Sequence, residues 1–269
     1  MNKNVAFLGA GSMAEAIISG IVHSEIMQSS QILVTNRGNT GRLNYLEKKY
    51  GVRAVEDKEE LVQEADILIL AAKPHDIQSS ILEIQPYLRP DQLLISVAAG
   101  VETENIEYWS GLEMSVIRAM PNTSAQIGFS ATAIAPGKYA KEKHIQESMN
   151  LLNTIGTTTV IKEADMHVAT AIAGSGPAFI YYMVEAMQIA AEEFGLDAKI
   201  ARELLTQTVL GAGKMLKESG DTPEGLREKI TSPNGTTEAG IKTLDSHYFK
   251  RIMMDSIESA KKRSIELGE

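Results

Sequence analysis

Val5-Ala6-Phe7-Leu8-Gly9-Ala10-Gly11-Ser12-Met13-Ala14 joins a short apolar run to two closely spaced glycines near the start of the chain. The apolar run predicts a buried strand, and the glycines predict a tight turn that opens a helix. In such a unit the second glycine lets the backbone approach a pyrophosphate, and the helix N-terminus supplies amide groups. Residues 9–13 are therefore a candidate nucleotide site; a glycine turn without a ligand is the alternative.

Similar apolar runs recur over the next 150 residues, separated by segments with the length of crossover helices. Because the runs are almost wholly apolar, they predict strands of a parallel sheet that is covered on both faces. The predicted strands are Val5 to Leu8, Ile32 to Thr35, Ile67 to Ala71, Leu93 to Val97, Ser115 to Arg118, Ala131 to Ala135 and Thr157 to Ile161. The predicted crossover helices are Ala14 to His23, Arg42 to Tyr50, Lys58 to Glu64 and Ile77 to Tyr87.

The strand pattern stops after about Glu163, and only helical periodicity follows. Four or five helices fit into the remaining chain, and Asp221-Thr222-Pro223-Glu224 marks one helix start. The predicted fold is α/β: a doubly wound, Rossmann-like domain over residues 1–163, then an all-helical domain over 164–269. We expect the helical domain to bind substrate and to form a dimer, because so small a subdomain can complete its core against a second subunit.

Composition narrows the range of ligands. The formal charge of −9 disfavours nucleic acid and anionic membranes, and no apolar run of 18 residues or signal-peptide layout is present. The absence of cysteine excludes disulfides and thiolate catalysis, and the five scattered histidines do not have metal-ligand spacing. We expect a cytoplasmic protein that binds a small metabolite and no metal.

The end of the second predicted strand indicates which dinucleotide is bound. An NAD site usually carries a carboxylate there, whereas this chain has Asn36-Arg37. A guanidinium can bind a 2′-phosphate through two hydrogen bonds and the amide can donate another, so NADP(H) is favoured over NAD(H), which remains possible. An exposed loop arginine is the alternative. Lys73 and Pro74, in Ala71-Ala72-Lys73-Pro74, follow another strand at the ligand-binding edge; Lys73 either contacts the cofactor or is solvated.

Several motifs resemble the pyrroline-5-carboxylate reductase family over nearly the whole chain. In the helical half, Gly174-Ser175-Gly176-Pro177-Ala178-Phe179 resembles its GSGPA motif, and Thr231-Ser232-Pro233-Asn234-Gly235-Thr236-Thr237 resembles its SPGGTT signature. Further matching segments are the Gly9 turn continuing into Glu15-Ala16-Ile17, Ala71-Ala72-Lys73-Pro74, Ser96-Val97-Ala98-Ala99-Gly100 and Arg118-Ala119-Met120-Pro121-Asn122-Thr123. The resemblance implies an NAD(P)H-dependent oxidoreductase that reduces 1-pyrroline-5-carboxylate to L-proline, and a homodimer or larger homo-oligomer.

The resemblance also implies site residues. Thr237 is the candidate catalytic residue, because its position in the family contacts the substrate nitrogen; a helix-capping threonine is the alternative. Glu163 and Lys229 fall at substrate-side positions, and Ala99 lies in a cofactor-side motif. Lys58 stands where the family usually has an asparagine near the adenosine, so it either binds a 2′-phosphate or faces solvent.

The SPNGTT loop itself predicts a carboxylate site. It runs into a helix-like segment, so the amides of Gly235, Thr236 and Thr237 are expected to point outward at a helix N-terminus. Asn234 replaces a family glycine, which is compatible with a positive φ because asparagine tolerates that region. The Gly174 to Pro177 segment predicts a helix interruption or start, since two glycines and a proline are costly inside a helix.

Two other classes remain open. β-Hydroxyacid dehydrogenases also join a nucleotide domain to a helical one, and Gly211-Ala212-Gly213-Lys214 faintly resembles their catalytic-lysine helix, but the SPNGTT loop has no place in that class. A nucleotide sensor that lost its chemistry would be compatible with Asn234 and Lys58.

Overall fold

The computed structural model describes residues 3–268, which form two compact units. The first unit contains residues up to Pro177 together with residues from Glu258 onward, and the second contains Ala178–Ile257. The predicted division after residue 163 rests on the end of the strand pattern and stays a prediction. The compact units divide the chain elsewhere: their boundary follows Pro177, and the helix over Phe249–Glu266 begins in the second unit and ends in the first.

The first unit is built on one eight-stranded sheet with the order β3-β2-β1-β4-β5-β6-β7-β8. Its strands are β1 (Val5–Leu8), β2 (Ile32–Thr35), β3 (Arg53–Ala54), β4 (Ile67–Leu70), β5 (Leu93–Ser96), β6 (Ser115–Met120), β7 (Ser130–Pro136) and β8 (Gly156–Val160). The reversal of strand order on either side of β1 is the topology of a doubly wound fold, and it places the carboxyl ends of β1, β2 and β4 at one edge.

Helices cover both faces of this sheet. They are α1 (Ser12–His23), α2 (Thr40–Tyr50), α3 (Lys58–Glu64), α4 (Ile77–Ile84), α5 (Thr103–Ser110), α6 (Glu142–Leu152) and the short α7 (Met166–Ala169). Alternate strand residues point to opposite faces: Val5 and Phe7 pack with α1, α2 and α6, whereas Ala6 and Leu8 pack with α3, α4 and α5. The two resulting cores confirm the predicted two-sided packing for the central strands.

Three details of the sheet correct the sequence prediction. β7 runs antiparallel to β6, because the connection between Met120 and Ser130 is too short for the crossover that a parallel pair requires. β8 pairs with β7 alone among the described strands and leaves much of its length exposed, so it is not covered on both faces. β3 has two residues and no apolar run, and it was therefore missed.

The second unit is entirely helical. Beyond α7, residues up to 268 form α8 (Gly176–Glu193), α9 (Ala198–Glu218), α10 (Pro223–Lys229), α11 (Thr236–Ser246) and α12 (Phe249–Glu266), which agrees with the predicted four or five helices. The predicted start of α10 is confirmed: Thr222 accepts a hydrogen bond from the Gly225 amide, and Pro223 occupies the first helical position. Within residues 3–268, no helix combines the length and apolar character needed to cross a bilayer.

Candidate active site

The glycine turn lies at the carboxyl edge of the sheet, where β1 ends. The Gly9 amide donates to the carbonyl oxygen of Thr35 at 3.0 Å, and Gly9 has a φ of +113°. A Cβ atom at this residue would lie 2.5 Å from the carbonyl oxygen of Ala71. Any other residue would therefore push the turn away from the end of β4.

Gly11 has a different role, because it faces open space. It is the N-cap of α1, no side chain caps the helix, and no atom lies within 4 Å of the position that a Cβ would occupy. The first amides of α1 therefore have no acceptor within the helix, and Ala14 is fully buried in the core below them. This cradle fits a pyrophosphate, which would accept hydrogen bonds from those amides.

Two helices brace the turn through a charged network that the sequence analysis missed. Arg42 donates through Nε to the carbonyl oxygen of Ala10 at 2.7 Å, and its Nη2 lies 2.6 Å from Oε2 of Glu15. Lys49 and Tyr50 also donate to the Glu15 carboxylate. Burial alone would raise the pKa of Glu15, but these hydrogen bonds lower it to about 2. The carboxylate thus stays ionised and links α1 to α2.

A cavity of about 360 Å³ opens beside the turn. Seven of the predicted cofactor residues line it: Gly9, Gly11, Asn36, Arg37, Lys58, Ala71 and Lys73. Five others do not: Ala10 is buried and holds Arg42, Ser12 begins α1, Met13 packs against the core, Pro74 begins a short 3₁₀ turn, and Ala99 lies beyond β5. The structure therefore brings together residues from the ends of β1, β2 and β4.

Thr35 is a lining residue that the sequence analysis did not single out. It is the last residue of β2, it is 2% exposed, and its hydroxyl has no hydrogen-bond partner among the described residues. A buried polar group without a partner is costly. A polar ligand in this cavity could lower that cost, which is a second indication that the cavity fits a dinucleotide.

The Asn36 side chain is hydrogen-bonded within its own loop, and its predicted contact with the cofactor stays a prediction. Its oxygen accepts from the amides of Gly38 and Asn39, and its nitrogen donates to the carbonyl oxygen of Asn39 at 2.8 Å. The side chain therefore shapes the loop after β2 with one of its two N–H donors and its oxygen, and the second N–H is the one that a phosphate contact would use. Arg37, the next residue, has a side chain that is 71% exposed.

The two candidate phosphate-binding cations are each paired with a carboxylate. Arg37 Nη2 lies 2.9 Å from Oδ1 of Asp76, and Lys58 Nζ lies 2.5 Å from Oε2 of Glu83. All four side chains line the cavity beside the turn. All of them except Asp76 also line an adjoining space of about 520 Å³. Lys58 thus lines both spaces, with 25% of its side chain exposed. Lys73, by contrast, is exposed at the rim.

Glu163 lies in the first unit, next to a buried arginine. Arg118 on β6 is 1% exposed, and its Nη1 lies 2.7 Å from Oε1 of Glu163. Thr103 donates to the same carboxylate at 3.4 Å. A buried guanidinium without a counterion would be strongly destabilising, so Glu163 neutralises Arg118. The sequence analysis did not single out Arg118, because its neighbours in the chain are apolar and predict only a buried strand.

The SPNGTT loop lies in the second unit and follows its prediction closely. Asn234 has a φ of +59°, which confirms the predicted positive φ. Gly235 is the N-cap of α11, and no side chain caps this helix. The Gly235 amide donates to the carbonyl oxygen of Ser232 at 3.0 Å, so it is not one of the outward-pointing amides, contrary to the prediction.

Thr236 and Thr237 open α11, so their amides have no acceptor within the helix. Thr237 lies in the first turn instead of at the cap, which removes the capping alternative, and it is partly buried, whereas Thr236 is exposed. Lys229 Nζ, in the same unit, lies 2.7 Å from Oδ2 of Asp221, and its side chain is 64% exposed.

The Gly174 to Pro177 segment interrupts a helical run, as predicted. A π-helical segment over Thr170–Gly174 ends at its first residue, and α8 begins at Gly176. Asn122, from the family-like segment after β6, donates through its side chain to the carbonyl oxygen of Ala173 at 3.0 Å. A hydrogen bond from another element of the first unit therefore stabilises the backbone just before the interruption.

Comparison with known proteins covers both halves of the chain. Residues 163–267 match the family described as pyrroline-5-carboxylate reductase dimerisation, and residues 4–100 match the family described as NADP oxidoreductase coenzyme F420-dependent. The pyrroline-5-carboxylate reductase 2 of Bacillus subtilis (strain 168) is 47% identical over 267 residues, which cover 99% of this chain and 96% of the relative.

Two solved structures are similar over the whole chain. A pyrroline-5-carboxylate reductase from Coxiella burnetii superimposes with a TM-score of 0.93 at 33% identity, covering 100% of both chains. The pyrroline carboxylate reductase of Plasmodium falciparum with NADP bound superimposes with a TM-score of 0.89 at 29% identity, covering 100% of this chain and 99% of that one.

Proposed function

This chain belongs to the pyrroline-5-carboxylate reductase family, and we propose that it transfers a hydride from NADPH to the C=N bond of 1-pyrroline-5-carboxylate to give L-proline, the last step of proline biosynthesis. The similarity runs through both halves of the chain, so it includes the Gly9 turn and the SPNGTT loop together. That joint match carries the proposal, and it sets aside the β-hydroxyacid dehydrogenase alternative.

The first unit is the proposed binding site for NADP(H), which supplies the hydride when bound. The amides at the start of α1 would hold the pyrophosphate beside Gly11, and Arg37 and Lys58 are the cations proposed for the 2′-phosphate. Lys73 is proposed at the rim of the same cavity. No metal is needed, because hydride transfer to an imine requires positioning and a proton.

The start of α11 is the proposed site for the substrate carboxylate. The amides of Thr236 and Thr237 can donate to an anion, and the helix dipole favours negative charge there. Such a local device is needed in a chain of net charge −9, which would otherwise repel the substrate. Gly235 contributes by starting the helix, and Asn234 by supplying the turn that precedes it.

Thr237 is the proposed catalytic residue. When the hydride adds to the imine carbon, the nitrogen takes up a proton and becomes an amine. A neutral hydroxyl can orient the nitrogen and pass a proton from water, but it is not a strong acid by itself. We therefore expect Thr237 to contribute positioning and a relayed proton.

Glu163 and Lys229 are the further substrate contacts that we propose. Arg118 fixes the Glu163 carboxylate in one orientation, so it can accept a hydrogen bond at a defined place. Lys229 would have to leave Asp221 to reach a ligand, a small cost for an exposed ion pair. We further propose a homodimer formed through the second unit, whose helices leave many large apolar side chains exposed.

The test is NADPH oxidation with 1-pyrroline-5-carboxylate, run beside NADH and beside two variants of the same turn. Thr237→Ala should lower kcat about 10- to 100-fold, because one hydrogen bond to the reacting nitrogen is lost. Thr236→Ala removes a neighbouring hydroxyl but keeps both amides, so it should retain activity. Binding of NADP⁺ without turnover by the unsubstituted chain would contradict the enzyme and favour the sensor.

A further inference from the structure

The cofactor cavity carries opposed charges on two neighbouring segments. Arg37 and Lys58 come from the ends of the β2 and β3 regions, whereas Asp76 and Glu83 come from the 3₁₀ turn and helix that follow β4. All four side chains line the 360 Å³ cavity, and Arg37, Lys58 and Glu83 also line the adjoining 520 Å³ space.

Each cation of this group is paired with a carboxylate. Arg37 is bound to Asp76 at 2.9 Å and Lys58 to Glu83 at 2.5 Å. The side chains of Lys58 and Asp76 are each only 25% exposed. These pairs are consequently part of the cavity wall, and a phosphate that enters must take the cations from the carboxylates.

The rest of the lining adds further negative charge. Glu56, Asp57 and Glu59 border the larger space, and Asp57 caps α3 by accepting from the Glu59 amide at 2.8 Å. Lys73 is the remaining lysine of the smaller cavity's lining. The acidic groups therefore outnumber the basic ones around the place proposed for the 2′-phosphate.

We propose that Asp76 and Glu83 are specificity-determining residues, which compete with the 2′-phosphate of NADP(H) for Arg37 and Lys58 and so limit the preference for NADP(H) over NAD(H). This inference rests on the NADP(H) dependence of the proposed function. It assigns to the two carboxylates a role opposite to that of the two cations.

Electrostatics accounts for the competition. In each pair one side chain is largely exposed, Arg37 at 71% and Glu83 at 57%, so solvent screens the pair and the cation can exchange partners at a modest cost. After the exchange the carboxylates remain beside a phosphate that carries nearly two negative charges, and like charges at such separations repel. NAD(H) carries a hydroxyl in place of that phosphate, leaves the ion pairs intact and can donate a hydrogen bond to a carboxylate. The carboxylates therefore weaken the binding of NADP(H) and leave the binding of NAD(H) unchanged.

Calorimetric titration of the full chain with NADP⁺ and with NAD⁺, without substrate, tests the proposal. Glu83→Gln should tighten NADP⁺ binding about 3- to 10-fold and leave NAD⁺ within about twofold. Asp76→Asn should act in the same direction but less, because Arg37 is more exposed than Lys58. Lys58→Met should raise the dissociation constant of NADP⁺ about tenfold and leave that of NAD⁺ unchanged.

Glu47→Gln and Lys48→Met are the matched controls, since both residues are exposed on α2 and lie outside the lining of either space. The proposal is overturned if Glu83→Gln leaves the NADP⁺ dissociation constant unchanged, or if Lys58→Met weakens both dinucleotides equally. Because no imine is present, failure of the reductase assay would leave this result standing, and the two failures are distinguishable.

Discussion

In the first unit, β1, β2, β4 and β5 are buried along their whole length, whereas in the second unit α8, α9 and α11 all expose large apolar side chains. Ala201 is the one buried apolar residue between Ala178 and Ile257. The exposed apolar residues there include Ile180, Tyr181, Tyr182, Met187, Ile189, Phe194, Ile200, Leu204, Leu210, Met215 and Leu244.

This contrast shows which unit can bury its apolar side chains within a single chain. A sheet with helices on both faces buries its apolar side chains within one chain, at roughly 25 cal/mol per Å². A small set of long helices cannot enclose all of its own apolar surface, and apolar side chains exposed in this number mark an interface. The second unit thus supports the dimer proposed above, and the first unit needs no partner to form its core.

The largest expected effect comes from placing a charge among the exposed apolar side chains of α8 and α9. Leu204→Glu and, separately, Ile189→Glu should raise the dimer dissociation constant by at least about 100-fold, because an unpaired carboxylate is costly to bury. Sedimentation velocity over a range of concentrations measures this constant.

Gln78→Glu serves as the control, since it adds the same charge at an exposed residue of α4 in the first unit. NADP⁺ binding should survive in all three variants. A dimer that is unchanged by both apolar substitutions would contradict the assignment of this face.

A medium effect is expected from the charged brace of the first unit. Glu15 has a pKa of about 2 in the folded chain against an ordinary 4.5, so its stabilisation is present above about pH 4.5 and is lost as the pH falls toward 2. Glu15→Gln should therefore lower the free energy of unfolding by about 1–3 kcal/mol at pH 7.

Trp109, the single tryptophan, packs on the core of the first unit, so its fluorescence during urea denaturation reports on this unit. The difference between Glu15→Gln and the unsubstituted chain should shrink between pH 4.5 and 2. Glu47→Gln, at an exposed residue of α2, is the control; an equal loss in both variants would argue against the brace.

The smallest effect is expected in the loop of the second unit. Asn234 adopts a φ of +59°. Residues other than glycine, asparagine and aspartate are disfavoured there by about 1–2 kcal/mol, because the Cβ atom lies too close to the following carbonyl oxygen. Asn234→Ala should lower stability by about 1 kcal/mol and raise the KM for the imine, whereas Asn234→Gly should be nearly neutral. Calorimetry and steady-state kinetics measure the two effects; equal behaviour of the alanine and glycine variants would refute the backbone explanation.

The features that sequence predicted well depend on local conformation. The Gly9 turn, the start of α10 at Thr222 and the positive φ of Asn234 all follow from residues next to one another in the chain. The strand β7 was predicted but its antiparallel direction was missed, although the short connection before it was visible, because its apolar run resembles that of the parallel strands.

The α/β class, the nucleotide turn and the loop that opens α11 follow from sequence alone, since backbone propensity and hydrophobic period act over a few residues. The tertiary structure decided which distant charges meet: Arg118 with Glu163, Glu15 with Arg42, and Arg37 and Lys58 with Asp76 and Glu83. The physical reason is that an ion pair depends on side chains brought within a few ångströms by strand order, and no local pattern records that distance.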